Sequence, residues 1–318
     1  MFIGRHIWHV VLIASALAFA QVPAPPERPL RIAVNTTTIE SFPVFLAAES
    51  MGREIEIVPS PNGRAAMAQL VSGEVDAATG SETQALLNSV ADPRIRIALT
   101  LSECRYRIIA RRSAGIRRVS DLRGKRVAAT LNTSSQYLLA GMLRKANLKE
   151  SDVEIVPLEG QEMPAALKSG AVSAVAIWEP HAQNSLEGIG NDGVVLEDPS
   201  VYVERFNLNT RSDVLADPLR RLVMKRFVQV IQIASARIRG RSPGLLAQLA
   251  PRVGLTERTV DAVWNRFTFP AELDNEQMGA SLDKVEPWVA TMQKRQPRSH
   301  AQLGTLIDGS LLLHESRD

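Results

Sequence analysis

A chain of 318 residues, 45% hydrophobic and 22% charged, carries enough apolar material for one or two large cores, which excludes a disordered or fibrous chain. Its 37 Lys and Arg against 34 Asp and Glu leave a net charge of +3 with no basic run, so an electrostatic nucleic-acid track is excluded. The single cysteine, Cys104, excludes an internal disulfide and reads as a buried spectator.

At the N-terminus, Arg5 precedes an apolar run over 7–20 that ends in Ala18-Phe19-Ala20. Those are the parts of a secretory signal peptide, residues 1–20, cut before Gln21. The run is shorter than the roughly 20 residues that cross a bilayer, so no membrane span is expected after cleavage. Residues 21–29 are a leader that Pro23, Pro25, Pro26 and Pro29 keep out of helix.

Strands are expected over 30–34, 55–59 and 73–80, alternating with helices over 42–50, 64–72 and 84–89, which is the pattern of an α/β fold. Each strand exit carries small polar residues: Thr36, Thr37 and Thr38 after the first, Gly80 and Ser81 after the third. Residues 95–102 and 106–111 are β-rich. The stretch 121–180 then reads strand, helix, strand, helix, strand. Its first strand exit is Asn132-Thr133-Ser134-Ser135, an N-cap signal before the apolar positions Tyr137, Leu138, Met142 and Leu143. Its last exit is Trp178-Glu179-Pro180, where open α/β sheets place ligands. A polar stretch over 181–193 and candidate strands over 194–196 and 206–210 follow. The remainder is helical: 218–239, a helix from Ser242, one from Thr256 to about 265, and a longer one from Asp274 interrupted at Pro287.

The motifs in 121–180 resemble the second-lobe signature of solute-binding proteins of ABC importers, in the group that handles nitrate, sulfonates, taurine and thiamine precursors. The residues that carry the likeness are Asp121-Leu122-Arg123-Gly124-Lys125, the run from Thr133 to Leu139, Ala165-Ala166-Leu167, the run from Gly170 to Ala174, and Trp178-Glu179-Pro180. Pro43 to Ala47 and Gly73 to Ala78, with Gly80, add a fainter likeness in the first half. Two departures stand out. Asn132 occupies a position where the group has Gly, though Asn tolerates left-handed backbone. The segment after the first helix is shortened around Gly52. The resemblance implies a two-lobe periplasmic binding protein type II fold, each lobe a mixed sheet flanked by helices, joined by two hinge strands. Lobe 1 would be discontinuous, 30–106 and 208–295, with lobe 2 over 107–207 and a peripheral tail over 296–318.

No nucleophile, phosphate-loop or metal-ligand motif is present, and His181, His300 and His314 are not at ligand spacing. The expectation is therefore a binding protein, not an enzyme, with no cofactor and no metal. Its candidate ligand-binding residues are Thr36, Thr37, Thr38, Arg64, Gly80, Ser81, Asn132, Thr133, Ser134, Trp178 and Glu179. Alternatives stay open for several of these: Thr133 and Ser134 as plain helix caps, Arg64 as a solvated first-turn side chain, Trp178 as core, Glu179 as a salt link between lobes. The resemblance implies a periplasmic monomer that passes a small anion, sulfonate or nitrogen compound to a permease and ATPase complex. The alternatives are a thiamine-pyrimidine-precursor binding protein, an enzyme on the same fold using His181, or a sensor lobe.

Overall fold

The computed structural model describes residues 28–312; the expected signal peptide and most of the Pro-rich leader lie outside the described residues. In chain order the first unit contains β1 (Leu30–Asn35), α1 (Phe42–Met51), β2 (Ile55–Ser60), α2 (Gly63–Val71), β3 (Ala77–Ser81), α3 (Glu82–Ser89) and β4 (Ile95–Arg105). The second contains β5 (Arg107–Arg111), β6 (Arg126–Ala129), α4 (Ser134–Lys145), β7 (Glu154–Pro157), α5 (Met163–Ser169), β8 (Ala174–Ile177), α6 (His181–Ile189) and β9 (Gly193–Leu196). The chain then returns through β10 (Val203–Arg211), α7 (Ser212–Ala216), α8 (Pro218–Arg239), α9 (Leu245–Leu249), α10 (Glu257–Val263), β11 (Phe267–Thr268), α11 (Asn275–Met292) and α12 (His300–Gly304).

Two mixed sheets result. The first has six strands in the order β11-β4-β10-β3-β1-β2, the second five in the order β7-β6-β8-β5-β9. Parallel pairs β1–β2, β1–β3, β6–β7 and β6–β8 are covered by helices, so the central strands carry apolar residues at successive positions rather than alternating ones. All four residues of β8 are buried, and β1 buries Ile32, Ala33 and Val34 completely. The chain passes between the sheets twice, at Tyr106 between β4 and β5 and again between β9 and β10. Tyr106 and Tyr202 meet edge to face across these two crossings, with ring centroids 5.6 Å apart. Two narrow connections of this kind are what a hinge between lobes requires.

Several boundaries differ from the sequence reading. The polar stretch 181–193 contains helix α6, whose buried side is His181, Ala182 and Ser185. A core face made of His, Ala and Ser leaves no apolar periodicity to read. β10 begins at Val203, which brings Glu204 into the first sheet. Helix α11 continues through Pro287, where one backbone bond is missing but Leu282, Val285, Trp288 and Val289 hold the helix onto lobe 1. The tail is also less peripheral than expected. Ile97 N–H donates to the Leu306 carbonyl at 2.6 Å, Asp308 N–H donates to the Ile97 carbonyl at 3.0 Å, and Leu303, Leu306 and Leu311 are buried. The shortened connection after α1 turns at Gly52, whose φ of 55° favours glycine.

Candidate binding cleft

A narrow cavity opens between the two sheets at the carboxyl ends of β1, β3, β6 and β8. The first lobe contributes Asn35, Glu40, Asn62, Gly63, Arg64, Ser81, Gln84, Glu204 and Phe206; the second contributes Thr133, Ser134 and Trp178; Tyr106 comes from the crossing. Three helices begin at its wall. Asn62 caps α2 by accepting from Ala65 N–H at 2.9 Å, Ser81 caps α3 from Gln84 N–H at 3.4 Å, and Thr133 caps α4 from Ser135 N–H at 3.2 Å. The first-turn N–H groups beyond each cap have no intrahelical partner, so this wall has positive character. Gly63 and Gly80 let α2 start hard against β3: a Cβ on Gly63 would lie 3.3 Å from Gly80 Cα, and one on Gly80 would lie 3.1 Å from Met67 Cγ.

Of the residues singled out from sequence, Arg64, Ser81, Thr133, Ser134 and Trp178 line this cavity. The others do not. Thr36 Oγ1 donates to the Ser60 carbonyl and Thr37 Oγ1 to Asn35 Oδ1 and the Pro61 carbonyl, so both spend their hydroxyls on the end of β1 and the neighbouring exit of β2. Thr38 is fully buried behind the wall and donates to Glu40 Oε2 at 2.9 Å. Gly80 serves packing. Asn132 takes the left-handed turn with φ 58° and offers its carbonyl to Gln84 Nε2 at 2.6 Å. Glu179 is spent on two arginines, Arg107 at 2.8 Å and Arg266 at 3.1 Å. His181, the one histidine the enzyme alternative relied on, also lies outside the cavity. It packs on Gly160, where a Cβ would come within 2.7 Å of its ring, and burial pulls its imidazole down to about 4. Cys104 is fully buried and its thiol is pushed up by desolvation, consistent with an inert side chain.

Contacts across the mouth hold the lobes together. Arg64 Nη2 donates to Glu159 Oε1 at 2.6 Å and its Nη1 to the Leu131 carbonyl at 3.0 Å, while Asn62 Nδ2 donates to Glu159 Oε2 at 3.1 Å. Arg64 is thus committed to the opposite lobe rather than left free for an anion. Its side chain is 41% exposed and that of Glu159 36%, so the pair contributes no more than about 1 kcal/mol. Glu159→Gln is accordingly expected to raise the open fraction by about fivefold at most, read as a larger radius of gyration by small-angle scattering without ligand. A fully open population in that variant would mean that the pair carries far more than a surface salt bridge.

The floor of the cleft is acidic, which the sequence reading does not anticipate. Glu40 and Glu204 are 2% exposed, and Tyr106 Oη donates to Glu204 Oε2. Glu204 also draws on the hydroxyls of Ser81 and Ser134 and on Glu40 itself. Burial beside Glu204 raises the Glu40 carboxyl well above the ordinary range, so Glu40 holds the proton and Glu204, with several donors, is the better anion. Glu82 lies deeper, receives Arg205 N–H at 3.1 Å, and is raised to about 8 by burial and by Glu204. A charged residue inside a buried strand, as Glu204 is, would be the available sequence signal, but the strand expected over 206–210 begins too late to include it.

Comparison with known proteins bears on this geometry. The family model described as NMT1/THI5 like matches residues 49–239, more than half of the chain. The Taurine-binding periplasmic protein of Escherichia coli (strain K12) is 36% identical over 83 residues, 26% of this chain and 25% of that protein. Matched stretches span 25% to 40% of the length of the curated relatives. Over the whole fold, the crystal structure of the periplasmic aliphatic sulphonate binding protein SsuA from Escherichia coli superposes with a TM-score of 0.73 at 20% identity, covering 86% of this chain and 96% of that one. The alkanesulfonate-binding protein SsuA from Xanthomonas axonopodis pv. citri, bound to MOPS, gives 0.71 at 19% identity, covering 90% and 99%. The chain therefore has the two-lobe periplasmic binding protein fold, and by the extent of the model match it belongs to the NMT1/THI5 like family.

Proposed function

We propose that this protein is the periplasmic solute-binding receptor of an ABC importer, a monomer that closes its two lobes on a small ligand and presents the closed form to a permease and ATPase complex. The observation that carries this reading is the cavity between two sheets joined at only two crossings, walled by three helix N-termini and bridged by hydrogen bonds from Arg64, Asn62 and Gln84. Binding and closure need no covalent chemistry, and no group of three or more metal-ligating side chains occurs among the described residues. The signal-like N-terminus supports export, and among the described residues no helix is long and apolar enough to cross a membrane. An anionic head group, such as the sulfonate in the names of the relatives, suits the first-turn N–H groups of α4 beside Ser134.

A thermal-shift screen with taurine, alkanesulfonates, nitrate and hydroxymethylpyrimidine tests the reading, because a ligand that binds only the native state raises its melting temperature. Thr133→Ala combined with Ser134→Ala is expected to weaken binding of the best responder about tenfold: Ser134 loses a hydrogen bond to a charged group, ~1.5 kcal/mol or more, and Thr133, whose hydroxyl donates to the Thr130 carbonyl at 2.7 Å, loses the cap that holds the turn in place. The fold should survive, since removing one cap costs about 1 kcal/mol. Unchanged affinity in the double variant would move the ligand away from α4.

A further inference from the structure

A second cavity, of about 300 Å³, lies beside the second crossing, between Pro199 and Tyr202 of that connection, Arg205 of β10, and Gln277, Ser281 and Lys284 of α11. It is of small-molecule size and shares no lining residue with the cleft between the sheets. Two of its lining side chains are cations with unused donors. Arg205, its side chain 19% exposed, gives Nε to Glu103 at 3.3 Å and Nη2 to Gln277 Oε1 at 3.4 Å, and its Nη1 has no partner among the described residues. Lys284 Nζ donates to the Ser200 carbonyl at 2.7 Å and has no carboxylate partner among the described residues. The two lobes also meet here. Tyr137 Oη of α4 donates to the Lys284 carbonyl at 3.2 Å, and its ring meets Trp288 of α11 edge to face, with centroids 5.4 Å apart. Arg144, two turns further along α4, lies against the same hydroxyl and forms no salt bridge among the described residues.

The charge around this cavity is unbalanced. Partial burial, and then Arg144 and Arg205, hold the Lys284 ammonium below its ordinary value; Lys145 adds to them and only Asp198 opposes. Asp198 is itself bonded to Lys145 and to the Ser200 hydroxyl, Glu103 to Arg205, and Asp274 to Gln277 N–H as the cap of α11. Cations held together at the edge of a cavity repel one another, and an anion bound among them removes that repulsion. We infer that this pocket is a second binding site, for a phosphate-type dianion, free or carried on a small organic molecule, held by Arg205 and Lys284 from the first lobe and Arg144 from the second. Guanidinium forks match the geometry of such an oxyanion, and Val203, Ala280 and Val285 offer an apolar wall to an organic part. The inference goes beyond the receptor reading and does not depend on which ligand the cleft takes. An anion shared by α4 and α11 joins the lobes a second time, at a point separate from the contacts of Arg64 with Glu159.

Calorimetric titration of the full protein with inorganic phosphate and with glycerol 3-phosphate, at constant ionic strength set by sodium chloride, tests the site. Saturable binding is expected, weakened about tenfold by Lys284→Met and by Arg144→Met, each of which removes one charged donor. Lys284→Arg, which keeps the charge, should bind far more tightly than Lys284→Met. Tighter binding of glycerol 3-phosphate points to an organic phosphate as the occupant and equal binding to the free ion, and both support the site. Thr133→Ala with Ser134→Ala, at the other cavity, should leave phosphate binding unchanged. No saturable heat with either probe, binding that neither Lys284→Met nor Arg144→Met weakens, or binding lost in the Thr133→Ala, Ser134→Ala variant overturns the inference. A loss with Lys284→Met but not with Arg144→Met overturns the join between lobes. None of these outcomes touches the receptor reading, which stands or falls with the thermal-shift screen.

Discussion

Glu179→Ala is expected to lower the stability of the folded protein by about 3–5 kcal/mol, the usual cost of stripping one partner from a buried ion pair. Glu179 is 1% exposed and sits at the exit of β8. Its Oε1 accepts from Arg107 Nε at 2.8 Å and faces Arg266 Nε at 3.1 Å, while its Oε2 accepts from Gln183 N–H at 3.0 Å. Arg107 opens β5 just past the first crossing, and Arg266 comes from the segment before β11 that packs on the first lobe. One carboxylate therefore ties the second sheet, the start of α6 and the first lobe together near the hinge. Arg107, 6% exposed, would lose its principal counter-ion, keeping Gln183 Oε1 at 2.7 Å; Arg266 would retain Glu197 at 2.6 Å. A fall in melting temperature on the order of ten degrees follows at this chain length. Glu179→Gln keeps the shape and some hydrogen bonds and should lose less. A loss below about 1 kcal/mol for Glu179→Ala would mean that solvent reaches the cluster freely.

Glu179 also shows where sequence reasoning reaches and where it stops. Strand ends, helix caps and turn residues are local chemistry, so Ser81, Thr133 and Asn132 are legible: two hydroxyls before helical periodicity and an amide at a left-handed turn. Trp178 is legible because a strand exit in an α/β fold faces a crevice. Whether the neighbouring Glu179 turns toward the crevice or away from it depends on Arg107 and Arg266, which lie 72 residues before it and 87 after it, and no local pattern carries that. Glu40 and Glu204 are hidden for the same reason. Each is an ordinary glutamate in its own stretch; only pairing of β10 with β3 and β4 brings Glu204 under the cleft and opposite Glu40. Helix α6 escapes notice for a different reason, since a buried side built of His181, Ala182 and Ser185 matches no hydrophobic template.

The same buried acids set an unusual dependence of stability on pH. Glu82 titrates at about 8 in the native protein against an ordinary 4.5, and Glu40 is raised well above its ordinary value in the same direction. Between roughly pH 5 and 8 the native state therefore holds protons that the unfolded chain has released, and linkage makes stability fall as pH rises through that window. The contribution is fully present below about 4.5 and is lost as pH passes through the raised values. Groups displaced the other way act lower: Asp192, Asp198 and Glu286 are held down at about 2 by their hydrogen-bonded partners, so what they contribute is present above their ordinary values and lost as pH falls toward 2. Maximum stability of the ligand-free protein is thus expected near pH 5, with a decline of a few kcal/mol by pH 8.5, since a tenfold difference in proton affinity between the folded and unfolded states corresponds to about 1.4 kcal/mol. Glu82→Gln, which is neutral at every pH, should flatten much of that decline. A melting temperature that is level or rises between pH 5 and 8.5 would refute the assignment of protons to these carboxyls.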